Sequence, residues 1–370
     1  MILQNDFKCQ WDEIADSALA AVRRVGSSGW YILGKEVEAF EKALAQFWGV
    51  DHAVGTGNGL DALEIGLRCL NLRPGDKVLT TPFSAFATTL AIVRAGGVPV
   101  FGDVDDTGGI DLALCRRVFE HDKSIRFFIP VHLYGIPLDL EELDQLQRDF
   151  DLRVVEDCAQ SIGASVKTRR AGTVGQVAAT SFYPTKNLGA LGDAGAVLTN
   201  DPAIAAAARE LRNYGQSAHY VHSRPGLNSR LDELHAAILH DAFLPNLEKW
   251  TSRRRAIAER YSREICNPGL QLLAPRPGAN PAWHLFPVLV RPESREKFRA
   301  HLETHGITSG IHYPFVIPKQ TALANVPFEC AGEPDAAIRF SQSEVSLPIH
   351  PFLNDEEVEM VIATCNNWLA

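Results

Sequence analysis

The chain has 370 residues, 46% of them hydrophobic, and a formal net charge of −9, which is the balance of an ordinary globular protein long enough to bury a large core. The excess of acid, with Arg253–Arg255 the one basic run, argues against nucleic acid or an anionic membrane surface as a partner. No apolar stretch approaches the ~20 residues of a membrane span, and the start, M-I-L-Q-N-D-F-K, has no signal-peptide core, so a cytoplasmic protein is expected.

Trp11, Ile14, Ala18, Val22 and Val25 recur at helical spacing. A loop, G-S-S-G-W-Y-I-L-G, leads to a second helix through Phe40, Leu44 and Phe47. In D-H-A-V-G-T-G-N-G-L-D-A-L, a short strand through Ala53 and Val54 meets a leucine stripe at Leu60, Leu63, Leu67 and Leu70. Gly57, Asn58 and Gly59 therefore lie in a glycine-rich turn that delivers a helix N-terminus, where unpaired N–H groups and the positive dipole end favour a phosphate. The dinucleotide fingerprint needs a glycine where Leu60 stands and an acidic strand end about 20 residues on, so a single phosphate fits better than NAD. From this segment alone, a glycine turn without a ligand reads the same way.

From Lys77 onward, apolar strands (Lys77–Thr80, Val98–Val104, Ile125–Val131, Arg153–Glu156) alternate with helical patterns near Ala87–Ala95, Leu112–Phe119 and Leu140–Phe150. This predicts an α/β fold with a mostly parallel central sheet covered by helices on both faces, and ligands at the carboxyl ends of the strands. Phe86, His132 and Asp157 fall at such ends. In R-V-V-E-D-C-A-Q the strand period puts Glu156 and Asp157 on opposite faces, so one of them can point into a given cleft. Asp157 reads either as a carboxylate for a heterocyclic N–H or as the cap of a helix starting at Cys158. Phe86 and His132, each judged alone, read as core and as a satisfied structural histidine. The seven cysteines, widely spaced and without a C-x-x-C pair, predict reduced thiols and no zinc site.

Two apolar runs, Val177–Tyr183 and Ala194–Leu198, flank an irregular loop that carries Lys186 among three glycines and a proline. A lysine on a backbone shaped by glycines suits an enzyme that must meet an aldehyde in fixed geometry, although a surface lysine in a turn looks alike. Helices are expected at Pro202–Tyr214, Leu231–Leu247 and Lys249–Ile265, with a polar loop holding Tyr220, His222, Asn228 and Arg230 between the first two. The proline-rich A-P-R-P-G-A-N-P then precedes strand Leu285–Val290, helix Glu293–His305, I-H-Y-P and a final helix Asp355–Leu369. We expect a large domain over 1–248 and a smaller C-terminal α/β domain over 249–370.

One cofactor unites these signals: pyridoxal 5′-phosphate needs a lysine for its aldehyde, a carboxylate for its ring nitrogen, an aromatic face and a phosphate cup. Lys186, Asp157, Phe86 and Gly55–Gly59 supply them, and Ser181 adds a hydroxyl for the phosphate. The segments G-T-G-N-G-L-D-A-L, V-V-E-D-C-A-Q-S-I-G-A, S-F-Y-P-T-K-N-L-G-A-L-G-D-A-G-A, G-L-N-S-R-L-D-E-L-H-A-A-I-L and S-L-P-I-H-P-F-L resemble the DegT-type nucleotide-sugar aminotransferases, which are fold-type I pyridoxal-phosphate enzymes. The resemblance implies a homodimer with shared active sites, L-glutamate as amino donor and a nucleotide-linked keto sugar as acceptor. It also implies Gln160 near the cofactor's ring hydroxyl, Phe86 on the ring face, Asn58, Gly59 and Ser181 on the phosphate, and Asn228 reaching the partner's phosphate. Tyr183, Tyr220 and His312 are then expected on the sugar side. N-G-L-D-A-L with S-F-Y-P-T-K-N-L-G-A-L-G-D is most similar to members that aminate C3 of a dTDP-3-keto-6-deoxyhexose. A 4-keto sugar aminotransferase and a non-catalytic, pyridoxal-phosphate-binding regulatory protein are the alternatives. The family's I-H-Y-P-x-P-x-H-x-Q reads I-H-Y-P-F-V-I-P-K-Q here, so Val316 replaces a proline and Pro318 a histidine on the sugar side.

Overall fold

The computed structural model describes residues 1–369. Seven strands form one large sheet: β1 (His52–Thr56), β2 (Lys77–Thr80), β3 (Val98–Phe101), β4 (Phe127–Ile129), β5 (Arg153–Asp157), β6 (Val177–Ser181) and β7 (Gly195–Thr199). Their order across it is β1-β7-β6-β5-β4-β2-β3, with the short strand Glu329–Cys330 added beside β3. β7 runs antiparallel to both neighbours and the remaining pairs are parallel. β2 has the expected bounds, whereas β3 and β4 end sooner than the expected Val98–Val104 and Ile125–Val131, because the chain must turn into the next connection.

Helices α1 (Phe7–Ser28), α2 (Lys35–Trp48), α3 (Gly59–Cys69), α4 (Phe86–Ala95), α5 (Leu112–His121), α6 (Leu140–Phe150) and α7 (Pro202–Leu211) surround the sheet. Their starts are encoded locally, since Asp6, Asn58, Asp111, Asp139 and Asp201 each accept backbone N–H groups from the turn that follows. Alternation along the strands sorts the core into two layers. Val78, Phe127 and Val155 pack with α3, α4 and α7, whereas Leu79, Phe128 and Val154 pack with α5 and α6. On α1 the buried row is Ile14, Ala18, Ala21 and Val25, and Trp11 and Val22 of the expected stripe lie exposed on the neighbouring side.

From Glu233 the chain is helical as far as Glu264: α8 (Glu233–Ile238), a wide turn Leu239–Phe243, a tight turn Leu244–Asn246, then α9 (Leu247–Glu264). The two helices expected here are one run with an irregular middle. Pro245 has no N–H to give and its ring crowds the preceding turn, while the Asn246 amide donates to the Ala242 carbonyl at 2.8 Å.

Beyond this run, β8 (Phe286–Leu289) and β9 (Glu344–Leu347) form a small antiparallel sheet with Gln271–Leu272. Helices α10 (Arg295–Thr304), α11 (Asp335–Ser343) and α12 (Asp355–Asn366) belong to the same region, and their Phe298, Phe340 and Val361 join Ile257 and Tyr261 of α9 in a second core. Ile2 belongs to that core, pairing with Ile307, and the Gln4 amide donates to the Thr308 and Ser346 carbonyls at 3.2 and 2.7 Å. We propose a division into lobes 1–248 and 249–370, stitched together by residues 2–4. Among the described residues, no helix is long and apolar enough to cross a membrane.

The two acids ending β5 part company as their alternation requires. Glu156, fully buried, accepts the N–H groups of Gly172, Val174 and Gly175 at 2.9, 2.7 and 2.7 Å. His132 Nδ1 accepts from the Leu138 N–H, so its proton sits on Nε2 and donates to Glu156 at 2.9 Å. Cys158 completes a cluster of three potential metal ligands, but these bonds already occupy the carboxylate and both ring nitrogens. Burial opposes the charge on Glu156, yet the bonds from His132 and the backbone outweigh it and hold the carboxyl below its ordinary value. Its contribution to stability is therefore present at neutral pH and lost as pH falls through the lowered folded value. Glu156→Ala should destabilise the chain by about 3–5 kcal/mol, because four buried donors lose their acceptor. Urea unfolding measures this.

Candidate active site

Lys186 sits in the loop that joins β6 to antiparallel β7, and bonds at both ends fix its backbone. The Phe182 N–H donates to the Ala194 carbonyl, the Ala190 N–H to the Phe182 carbonyl (both 2.7 Å) and the Lys186 N–H to the Tyr183 carbonyl (2.8 Å). Gly189 makes this compact path possible, since a Cβ there would stand 2.3 Å from the Pro184 carbonyl oxygen. Burial drives the Lys186 amine down to about 8, with the charge on Asp157 pulling the other way.

Asp157 ends β5, the strand beside β6. Its Oδ2 accepts from the Thr88 hydroxyl at 2.8 Å and its Oδ1 from the Ala159 N–H at 3.1 Å. The second bond is what a helix cap would make, but no helix begins at Cys158 and the chain turns instead. Burial raises the Asp157 carboxyl above its usual range, while the Ala159 and Thr88 bonds and the Lys186 charge oppose that rise. A buried acid and the amine of a half-buried lysine thus feel one another at the carboxyl end of adjacent strands.

The glycine-rich turn is shorter than its sequence suggested, because Gly55 and Thr56 still belong to β1 and the helix begins at Gly59. The Gly57 N–H donates to Ser229 Oγ at 3.0 Å and Asn58 caps α3 through the Asp61 N–H at 2.8 Å. A Cβ on Gly59 would lie 2.6 Å from Ser181 Cβ, so the first turn of α3 and the end of β6 touch. This is a cradle that only glycine leaves open.

Gln160 is held on both sides: its Oε1 accepts from the Tyr134 N–H at 2.6 Å and its Nε2 donates to the Tyr313 hydroxyl at 3.0 Å. His312 precedes Tyr313, and its ring feels the charge on Lys186. Phe86 opens α4 half-buried against Phe101, Ile317 and Leu323, two residues before the Thr88 that reaches Asp157. Val316 is buried, and Ile317 donates to the Pro82 carbonyl at 2.8 Å, which anchors the divergent segment beside Phe86.

Lys186, Asp157, Gln160, Gly59, Ser181 and His312 thus gather at one end of the sheet. Tyr183, Tyr220 and Asn228 do not close over them within one chain. Tyr183 and Tyr220 are 51% and 81% exposed, the latter on the hairpin Gln216–His222, and exposed Asn228 pairs only its backbone, with Asn213. Four contributors escaped the sequence reading. Thr88 stands just beyond a segment already singled out and Tyr313 lies inside I-H-Y-P, whereas Tyr134 and buried His284, which lies near Lys186 and 3.3 Å from Asn187 Oδ1, carried no local signal.

The donor set fits pyridoxal phosphate: a glycine-only cradle, a buried acid, and an amine with depressed basicity. A sheet of this strand order with its lysine before the antiparallel strand defines the fold-type I class of pyridoxal-phosphate enzymes. The chain belongs to the DegT/DnrJ/EryC1/StrS aminotransferase family, whose model matches residues 12–366. It is 40% identical over 366 residues to the dTDP-3-amino-3,4,6-trideoxy-alpha-D-glucose transaminase of Streptomyces venezuelae, covering 98% of this chain and 95% of that one. It is also 40% identical over 350 residues to the dTDP-3-amino-3,6-dideoxy-alpha-D-galactopyranose transaminase of Aneurinibacillus thermoaerophilus, with 94% of each chain covered. The crystal structure of S. venezuelae DesV, solved with a ketimine intermediate, superposes with a TM-score of 0.94 at 39% identity over 100% of this chain and 98% of that one.

Proposed function

We propose that this aminotransferase moves an amino group from L-glutamate to C3 of a dTDP-linked 3-keto-6-deoxyhexose, working as a cytoplasmic homodimer. The observation that carries the chemistry is the half-buried Lys186, whose amine and the buried Asp157 carboxyl each feel the other's charge. The named activities of the two 40%-identical relatives support the sugar.

Pyridoxal phosphate, when bound, supplies an aldehyde that condenses with amines and a ring that accepts electrons from the adjoining carbon. Gly57, Asn58, Gly59 and Ser181, joined by the partner subunit's Asn228, would hold its phosphate. Asp157 would hold the ring nitrogen in its protonated form, Gln160 the ring hydroxyl and Phe86 the ring face. Lys186 is the proton carrier. With its amine near 8, about a tenth is free base at pH 7 and half near pH 8, against a few in ten thousand for an unburied lysine. It can therefore accept and return a proton without a large energetic step. His312, Tyr183 and Tyr220 are left to meet the sugar.

Support for the dimer is the exposure of the adjacent Trp30 (62%) and Tyr31 (52%), large side chains that an interface would cover. Incubating the protein with L-glutamate and a panel of 3-keto and 4-keto nucleotide sugars, and weighing the products, tests the assignment. Amination of a dTDP-3-keto sugar is expected. Turnover confined to 4-keto sugars would overturn it.

A further inference from the structure

His312 comes from the second lobe close enough to Lys186 for its ring to feel the lysine's charge, and almost every one of its polar handles is taken. Its N–H donates to Glu344 Oε2 at 2.6 Å, its carbonyl accepts from the Tyr134 hydroxyl at 2.7 Å, and its Nδ1 lies 2.9 Å from Ser346 Oγ. Ser346 Oγ is in turn hydrogen-bonded to Glu344 Oε1. Gly310 leaves room for the ring, since a Cβ there would stand 2.8 Å from His312 Cε1. Among the described residues, Nε2 has no protein partner.

A serine hydroxyl has one proton, so this chain has two polarities. With Glu344 ionised, Ser346 donates to the carboxylate and accepts from Nδ1–H, and the neutral imidazole presents a bare Nε2. With Glu344 protonated, the acid donates to Ser346, Ser346 donates to a bare Nδ1, and Nε2 carries the hydrogen. The two states differ by one proton and interconvert by its passage: uptake at Nε2 sends the Nδ1 proton to Ser346 and the serine's own proton to Glu344.

We propose that Glu344 and Ser346 are positioning residues that set, through this relay, whether His312 offers the sugar a hydrogen-bond acceptor or a donor at Nε2. Glu344 is fully buried and, among the described residues, has no ion-pair partner. Burial lifts its carboxyl to about 8, so both polarities are reachable close to neutral pH. The ring itself, lowered to about 4 by burial and then by Lys186, stays neutral in both states. The other groups facing the relay are Arg295 and Arg299 of α10, whose charges favour the carboxylate, together with Tyr134 and Tyr313 beside Glu344, and His284 and Lys186 beside His312.

The proposal rests on Lys186 and its surroundings being the site of amino transfer, but its test reads the imidazole without substrate. Holoenzyme labelled with 15N-histidine, with His312 assigned by comparison with His312→Gln, is followed by NMR from about pH 6 to about pH 9.5. His312 should pass from the Nε2–H tautomer to the Nδ1–H tautomer as pH rises. Glu344→Gln should hold one tautomer throughout, and Ser346→Ala should uncouple the ring so that its tautomer no longer follows pH. A wild-type ring that keeps one tautomer across the range overturns the relay, as does a Ser346→Ala ring that still switches. If the relay fails while keto-sugar amination persists, the assignment of the site stands. Should the variants not fold, the wild-type titration alone decides.

Discussion

Lys186→Ala is expected to lower keto-sugar amination by at least about 10⁴-fold, the largest effect of any single substitution in this chain. In the proposed mechanism the side chain would have two duties: to offer the amine that the cofactor's aldehyde requires, and to hold and return the proton of the reacting carbon. The nearby bases are unsuited to the second duty. Burial and the charge on Lys186 press His284 well below the ordinary histidine value, and Glu156 is bound on the far face of β5. Borohydride treatment should fix the cofactor's mass on the peptide containing residue 186 in the wild type and on no peptide in the variant. A variant that aminates sugars at a normal rate would remove the central assignment.

Asp157→Asn should cost roughly 10²–10³-fold in turnover while leaving cofactor content nearly unchanged. The substitution preserves shape and can keep the Thr88 and Ala159 contacts, so it isolates the charge. Burial makes that charge costly in the cofactor-free chain; a protonated ring nitrogen beside it is the partner that offsets the cost. Cofactor retention is expected because the cradle at Gly59 and Ser181 proposed for the phosphate is not touched by the substitution. Each half of the reaction, with glutamate and with keto sugar, should slow by a similar factor in single-turnover measurements. Near-normal rates in both halves would argue against the proposed role.

Much of this arrangement could be read before folding was considered, for a physical reason. The strand period already put Glu156 and Asp157 on opposite faces, and the structure places them so. The glycines around Lys186 and at Gly59 mark backbone approaches that any side chain would block, so they show in the sequence as composition. What could not be read are contacts between distant segments. Tyr134 meets His312 across 178 positions and Gln160 meets Tyr313 across 153, and nothing local to either end announces the other. The helix expected over Leu231–Leu247 already passed Pro245; what was not read is that it continues into the next one without a break at residue 248, its irregular turns Leu239–Phe243 and Leu244–Asn246 lying inside the run.

The stitch made by residues 2–4 bears on how the polypeptide matures. Ile2 waits for Ile307, and Gln4 for Thr308 and Ser346, some 300 positions downstream. Strands β1 to β7 lie between residues 52 and 199, and only the short edge strand Glu329–Cys330 comes later, so on the ribosome most of that sheet can assemble while the leading tail still has nothing to grip. Loop closure over such a span is entropically slow, which makes docking of the tail a late event in biosynthesis. It can come only once β9 has emerged.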